Sequence, residues 1–313
     1  MSLTQLLKTA ARSAVGVAAG LALTFVAVDS AFAQAPAAPT ITPATGQGPA
    51  LWLIEDADSR IWLFGTVHVL RPNTPWGTAK VEAALAEADT LILEIKDPND
   101  QAAVAPLIQQ FGVSPDRPLS SLLTPEELAE LNAAASALGA NAAALDPLRP
   151  WLAGLTIAVA PIIAAGFDPT SGVDTVLRAQ ALAAGKPVGE LEGAEAQVRM
   201  LASMSEETQL AFLRSALRDY ERASTILDEL VQAWATGDVE AIDRIGVEEM
   251  RNQSQELYDL ILANRNRDWA DQIQTMLAAS GDTFIAVGAA HLAGDDSVQE
   301  ILEDRGVRAA RVQ

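Results

Sequence analysis

Only two histidines occur in the 313 residues of this chain, and each closes a Gly-x-x-His tetrapeptide at the end of an apolar run. The first run, Ile61-Trp62-Leu63-Phe64, leads into Gly65-Thr66-Val67-His68. The second, Thr283-Phe284-Ile285-Ala286-Val287, leads into Gly288-Ala289-Ala290-His291. Four or five apolar or β-branched residues stopped by glycine are the pattern of a buried strand whose exit loop carries a polar group. Imidazole changes its charge near neutral pH and is a common metal ligand. Two such strands from opposite ends of a chain predict one sheet with a polar site at its rim. The bland alternative, in which each histidine only hydrogen-bonds its own loop, fits either one taken alone.

The intervening pattern sets the fold class. Leu51 to Ile54, the turn-forming Asp56-Ala57-Asp58-Ser59 and Ile61 to Phe64 read as a β-hairpin. Helical spacing follows from about Trp76 to Ala88, and Thr90 to Ile95 reads as another buried strand, so the order is that of an α/β core. Beyond it the chain is mostly helical. Thr124-Pro125-Glu126-Glu127 is a capped helix start. Leu152 to Ala165 is strongly apolar but shorter than the ~20 residues that span a bilayer, which predicts a buried core helix. A helix from Asp174 to Ala184 ends at Gly185, Pro187 to Leu191 reads as a short strand, and residues 206 to 277 read as two or three long helices interrupted near Gly237 and Gly246. Strand 283 to 287, a helix from about Ser297 to Arg305 and a strand from Val307 to Val312 close the chain. The expected architecture is an α/β fold. A mixed sheet core comes from the N- and C-terminal parts, with a large helical insertion at about 100–277, in a single domain over residues 50–313.

The first residues read as an export signal over residues 1–33. Lys8 and Arg12 precede a mostly apolar stretch from Ala14 to Val28, and Ala31-Phe32-Ala33 has the small-x-small form of a cleavage site. Residues 34–49 read as a flexible Pro/Ala-rich leader. The expected product is exported, periplasmic or secreted, with no stable membrane anchor after signal cleavage. Losing Lys8, Arg12 and Asp29 takes the formal net charge from -20 to -21. So acidic a molecule is repelled by phosphates, which argues against nucleic acid as a partner. With no cysteine there are no disulfides and no thiolate ligands, so a hydrophobic core must hold the fold and any metal must sit on nitrogen and oxygen.

Several polar residues stand where apolar ones are expected. Glu94 interrupts the strand that begins at Thr90, and a carboxylate buried there is costly unless it is paired or hydrogen-bonded. Stepping by four from Leu257 gives Ile261, Arg265, Trp269, Ile273 and Leu277, which puts a guanidinium in the middle of an apolar stripe. Asn264 and Asn266 flank it, and Asn264 is read as lying beside the same face. Glu192 and Asp174 are further candidates, Asp174 chiefly as a helix cap. Trp52, Trp62, Trp151, Trp234 and Trp269 read as core or rim. Gly-x-Gly-x-x-Gly, Gly-x-x-x-x-Gly-Lys and Gly-x-Ser-x-Gly are all missing, which leaves the simple nucleotide and serine-hydrolase readings without support.

Taken in order, the stretches Leu63-Phe64-Gly65-Thr66-Val67-His68, Leu91-Ile92-Leu93-Glu94, Leu123-Thr124-Pro125-Glu126, Gly172-Val173-Asp174, Leu191-Glu192, Ala233-Trp234, Asn264-Arg265-Asn266 and Val287-Gly288-Ala289-Ala290-His291-Leu292 resemble the TraB/GumN family. That family is part of the superfamily that includes the Tiki membrane proteases, and the resemblance runs from about Leu51 to Val312. It implies a paired Gly-x-x-His site with a glutamate and an arginine, which by position are His68, His291, Glu94 and Arg265, and in the Tiki branch a divalent-metal-dependent peptidase activity. Tiki proteins work from a membrane anchor, whereas this chain reads as soluble and exported, so the substrate does not carry over.

The resulting expectation is a metal-dependent hydrolase acting on a peptide or protein substrate. His68, His291 and Glu94 would hold Zn, Mn or Co and leave positions open for water and substrate. Arg265 would orient Glu94 or stabilise the developing oxyanion, Glu192 or Asp174 would serve as a second carboxylate or proton acceptor, and Asn264 would complete the site. Two alternatives stand beside it. One is a metal-independent hydrolase with His68 as general base; the other is a non-catalytic haem- or iron-binding protein on the same scaffold, for which Tyr220 and Tyr258 are the only phenolate donors.

Overall fold

A computed structural model of the chain describes residues 41–97 and 100–313, together with the backbone pairing of Ala14–Val15 with Thr24–Phe25. Apart from those four residues, the expected signal segment and the first part of the leader lie outside the described residues. Six strands build one mixed sheet: β1 (Leu51–Glu55), β2 (Ser59–Thr66), β3 (Thr90–Leu93), β4 (Val188–Glu190), β5 (Gly281–Gly288) and β6 (Ala310–Arg311). Their spatial order is β4-β3-β5-β2-β1-β6. The four strands from β4 to β2 run parallel, while β1 forms the expected hairpin with β2, and β6 adds antiparallel to β1. The Asp56 carboxylate accepts the backbone N–H groups of Asp58 and Ser59 and so closes the hairpin turn. The strand from the N-terminal half and the strand from the C-terminal end that carry the histidines are therefore direct neighbours, paired from Ser59 with Gly281 to Thr66 with Gly288.

Period-2 alternation divides the sheet residues between two cores. Phe64, Leu91, Leu93, Phe284 and Ala286 face the larger core, which includes the helices Ala79–Glu87, Pro150–Ala164 and Val173–Ala183. Trp52, Ile54, Leu63, Ile285 and Val287 face a smaller one closed by the helices Asn264–Leu277 and Val298–Asp304. The molecule is a sheet covered on both sides, the arrangement that parallel strands require. The apolar segment near residue 152 forms the buried helix Pro150–Ala164, and the five tryptophans read as core or rim are all buried. Among the described residues no helix is long and apolar enough to cross a membrane.

The insertion departs from expectation at Gly246. Gly237, with φ of 72°, ends the helix Ala223–Ala235 as expected. Gly246, however, lies within a π-helical segment, Asp243–Val247, which carries the chain on into the helix Glu248–Gln253. The break comes instead at Ser254, whose extended φ of -164° precedes Gln255–Tyr258. A second π segment, Asp259–Ala263, leads directly into Asn264–Leu277. Such wide turns gather at functional sites. At the N-terminal side of the insertion, Thr124 and Glu127 form the reciprocal capping box that their spacing predicts.

Two glycines make the close approaches on which the rim depends. A Cβ at Gly65 would lie 3.1 Å from Ala289 Cα, so the two Gly-x-x-His turns touch through bare backbone. A Cβ at Gly172 would lie 2.1 Å from the His68 carbonyl oxygen. The helix that starts at Val173 can therefore dock against the first histidine turn, with Val173 N–H donating to Val67 O at 3.0 Å. Gly172→Ala is expected to cost about 1–3 kcal/mol in urea denaturation, the range for overpacking. Gly46→Ala, where a Cβ meets nothing within 4 Å, is expected to be neutral. Equal midpoints for the two variants would show that the approach is not tight.

Candidate active site

Four parallel strands end side by side, and each delivers one ionisable side chain to the same rim. Glu192 follows β4, Glu94 follows β3, His291 follows β5 and His68 follows β2. The carboxyl ends of an open α/β sheet are where such folds place their sites. Glu94, His68 and His291 are each less than 5% exposed. Glu94 Oε1 lies 3.9 Å from His68 Nε2 and 4.0 Å from His291 Nε2, so the trio expected to meet does meet.

The helix Asn264–Leu277 brings Arg265 into this group, and the guanidinium is fully engaged. Its Nε donates to Glu192 Oε1 at 2.7 Å and its Nη2 to Glu192 Oε2 at 3.1 Å, a bidentate pair. Nη2 also donates to Glu94 Oε2 at 2.6 Å. Nη1 donates to Ile261 O at 2.9 Å, one turn back in the π segment, and to His291 Nε2 at 3.0 Å. All five N–H donors thus have partners, and the group lies over the Trp269 ring. Burial works against its charge, but Glu94 and Glu192 outweigh that and hold its pKa above the ordinary value. Glu94 gains a further donor at Oε1, the Gly288 N–H at 2.6 Å, and Gln197 Nε2 bridges Glu94 and Glu192 at 3.2 Å each.

The two histidines are held differently. His291 Nδ1 bonds Asn266 Oδ1, and Asn266 is oriented by its own donation to Asp296 O at 2.7 Å. The carbonyl oxygen of Asn266 can only accept, which puts the proton of His291 on Nδ1 and leaves its Nε2 as the acceptor for Arg265. His68 Nδ1 faces Asp174 Oδ1 at 3.2 Å, while its Nε2 has no hydrogen-bond partner among the described residues. Burial opposes a charge on His68, yet Asp174, with Glu94 beyond, lifts the imidazole above its ordinary range. Gln197 Oε1 is likewise buried without a partner.

The placement corrects two expectations about residues. Asn264 is exposed and bonds Arg267 at 3.1 Å, outside the site. The buried residues Arg265, Asn266, Trp269, Ala270 and Ile273 show that the inward face is centred between the rows of 265 and 266, so Asn266 enters and Asn264 does not. Asp174 sits in the first turn of its helix but makes no cap bond there, and its carboxylate serves His68. Gln197 carries no signal in the sequence that marks it as part of the site. It precedes the apolar Val198 and Leu201 on the buried face of Ala194–Ser203, and one amide beside an apolar stripe is too common to stand out.

The donors suit a three-ligand metal poorly as they stand. Two ligands of a tetrahedral zinc at about 2.0–2.2 Å are roughly 3.4 Å apart, less than the two separations from Glu94 Oε1. Moreover the His291 Nε2 lone pair is taken by Arg265. Among the described residues no group of three or more His, Asp or Glu side chains is arranged to hold an ion. For haem or iron, Tyr258 donates its hydroxyl to Asp296 at 2.6 Å, and burial together with Asp296 pushes the phenol up to about 12, away from phenolate.

The TraB/PrgY/gumN family model matches residues 50–311. An uncharacterized protein, YbaP, from Escherichia coli (strain K12) is 25% identical over 255 residues, covering 81% of this chain and 92% of that protein. An uncharacterized protein from Treponema pallidum (strain Nichols) is 21% identical over 267 residues, 81% of this chain and 80% of its own length. No solved structure matches.

Arg265→Met, which leaves the buried Glu94 and the partly buried Glu192 without their cation, is expected to lose about 3–5 kcal/mol in urea denaturation at neutral pH. A loss below 1 kcal/mol would mean that the carboxylates do not depend on it. Because the chain has two histidines, ¹⁵N-histidine spectra resolve both rings, and His291 is expected as the Nδ1–H tautomer. A proton on its Nε2 would contradict the orientation of Asn266.

Proposed function

The chain belongs to the TraB/PrgY/gumN family, and from that premise we propose that it is an exported hydrolase of peptide or ester bonds in which His68 acts as general base. The observation that carries this reading is the state of His68. One ring nitrogen is backed by Asp174, and the other, buried and without a hydrogen-bond partner among the described residues, lies nearest Glu94. A separation of 3.9 Å is too long for a direct hydrogen bond, but an oxygen about 2.8 Å from each atom would bridge them.

In this mechanism a water held between His68 Nε2 and Glu94 Oε1 gives its proton to Nε2 as its oxygen attacks the acyl carbon. Asp174 keeps the imidazole oriented and stabilises the imidazolium that forms. The same proton then passes from Nε2 to the leaving amine or alkoxide. Arg265 acts by positioning Glu94, since its donors are already committed; this favours orientation over direct oxyanion binding. Glu192, with its side chain 14% exposed, is the outermost member of the cluster, and substrate would enter from its side. The export step rests on the N-terminal pattern of Lys8, Arg12 and Ala31-Phe32-Ala33.

The base must be unprotonated to work, so activity on a peptide or ester library is expected to rise with pH. The inflection should lie above the ordinary imidazole value of about 6.5, because Asp174 raises the pKa of His68. Asp174→Asn should move the inflection down and lower kcat, and His68→Gln should abolish turnover. Activity is expected to survive exhaustive chelation. If chelation instead removes it and Zn, Mn or Co restores it, the metal-free mechanism is wrong and the two histidines must rearrange around an ion.

A further inference from the structure

The helical insertion and the back of the rim form a half-open apolar pocket of about 200 Å³ that is separate from the rim site. None of His68, Glu94, Glu192, Arg265 or His291 lines it. Its walls are apolar and come from several helices, with Ile162, Phe212, Leu227, Trp234, Met250 and Leu257 among them. It exists because small residues stand where larger ones would close it: Ala158, Ala216, Ala223, Gly246 and Ala289 all border it. Protein interiors tolerate few voids larger than a water molecule, and an apolar cavity of roughly 150 Å³ in an engineered core takes up benzene. Open on one side, this pocket is not such a void, and its size and apolar lining suit it to a small apolar ligand that enters from solvent.

The polar lining indicates which one. Among the described residues, Ser215, Asp219, Glu249 and Gln253 are the polar side chains at the pocket, and no lysine or arginine lines it. Ser215 is held by Asp219 and Gln253, while Glu249 is exposed, which sets the mouth on the acidic side. We propose that this cavity is a binding site for a small cationic amphiphile, with an alkyl tail among the helices and an ammonium group at Asp219 and Glu249. The opposite charge at the head would be rejected by the same two carboxylates. The site also touches the functional rim from behind, because Val67 and Val69 bracket His68 and Ala289 belongs to the second Gly-x-x-His turn. The proposal stands whether or not His68 is a general base.

Calorimetric titration of the full chain with n-octylamine and, separately, octanoate tests it. One octylamine is expected to bind per chain with a negative heat-capacity change, the mark of apolar burial, and at least tenfold more tightly than octanoate. Ala216→Leu, which fills the space, should abolish binding while circular dichroism and the melting temperature are kept. Glu249→Gln, an exposed change that leaves the cavity intact, should narrow the preference over octanoate. Octylamine binding that persists in a folded Ala216→Leu protein would mean loose attraction to an acidic surface and would overturn the proposal, as would equal affinity for octanoate or no binding at all. Should Ala216→Leu not fold, the heat-capacity sign and the Glu249→Gln comparison decide the same question.

Discussion

The guanidinium of Arg265 is the interaction on which the rim depends. Two carboxylates from neighbouring strand ends, the buried Glu94 and the partly buried Glu192, lie within reach of each other, an arrangement that self-repulsion and lost hydration would otherwise oppose. A planar fork with five donors can serve both carboxylates, a backbone carbonyl and an imidazole at once, which an ammonium could not. The wide turn at Asp259–Ala263 brings the helix in with a carbonyl, that of Ile261, turned to the same fork. Removing the charge would leave the sheet end with an uncompensated pair, so the stability of the site and its geometry rest on the same contact.

The division of labour between sheet and insertion follows from that. The parallel strands contribute His68, Glu94 and His291 at fixed spacings, because neighbouring strands are a constant distance apart. Asp174, Gln197 and Arg265 come from helices of the insertion or from its end, and each one orients a strand-borne group. Trp234 ties the insertion to the sheet by donating from its indole N–H to Gly65 O at 2.7 Å. The insertion is thus the part that turns a row of strand ends into a site, and the glycines at 65 and 172 are the price in side-chain volume for bringing it close enough.

Much of this was legible in sequence because the signals were local. Apolar runs stopped by glycine located β2 and β5, the Thr124-to-Glu127 spacing located a helix start, and polar residues out of place at Glu94 and Arg265 located the charge pair. The repeated tetrapeptide predicts the pairing of two distant strands, and they are neighbours in the sheet. What stayed hidden depended on rotation by less than a helical turn or on contacts between insertion and rim. Asn264 and Asn266 differ by two positions, and only the true centre of the buried face separates them. Asp174 looks like a helix cap until Gly172 is seen to seat its helix on the His68 turn. Gly246 reads as a breaker, yet a π turn accommodates it without ending the helix.

The same tetrapeptide therefore produces two chemically different histidines. Both rings leave strand ends in parallel, and both have Glu94 Oε1 about one van der Waals contact beyond their Nε2. The difference is imposed from the second ring nitrogen. A carboxylate at Nδ1 of His68 favours a proton arriving at Nε2, whereas an amide oxygen at Nδ1 of His291 and a permanently charged donor at its Nε2 leave no place for one. His291 is then an acceptor that fixes the angle of Arg265, and through it Glu94, against His68. A repeated motif can in this way supply both an imidazole open to protonation and a support for its neighbours, provided that the insertion delivers an acid to one copy and an amide to the other.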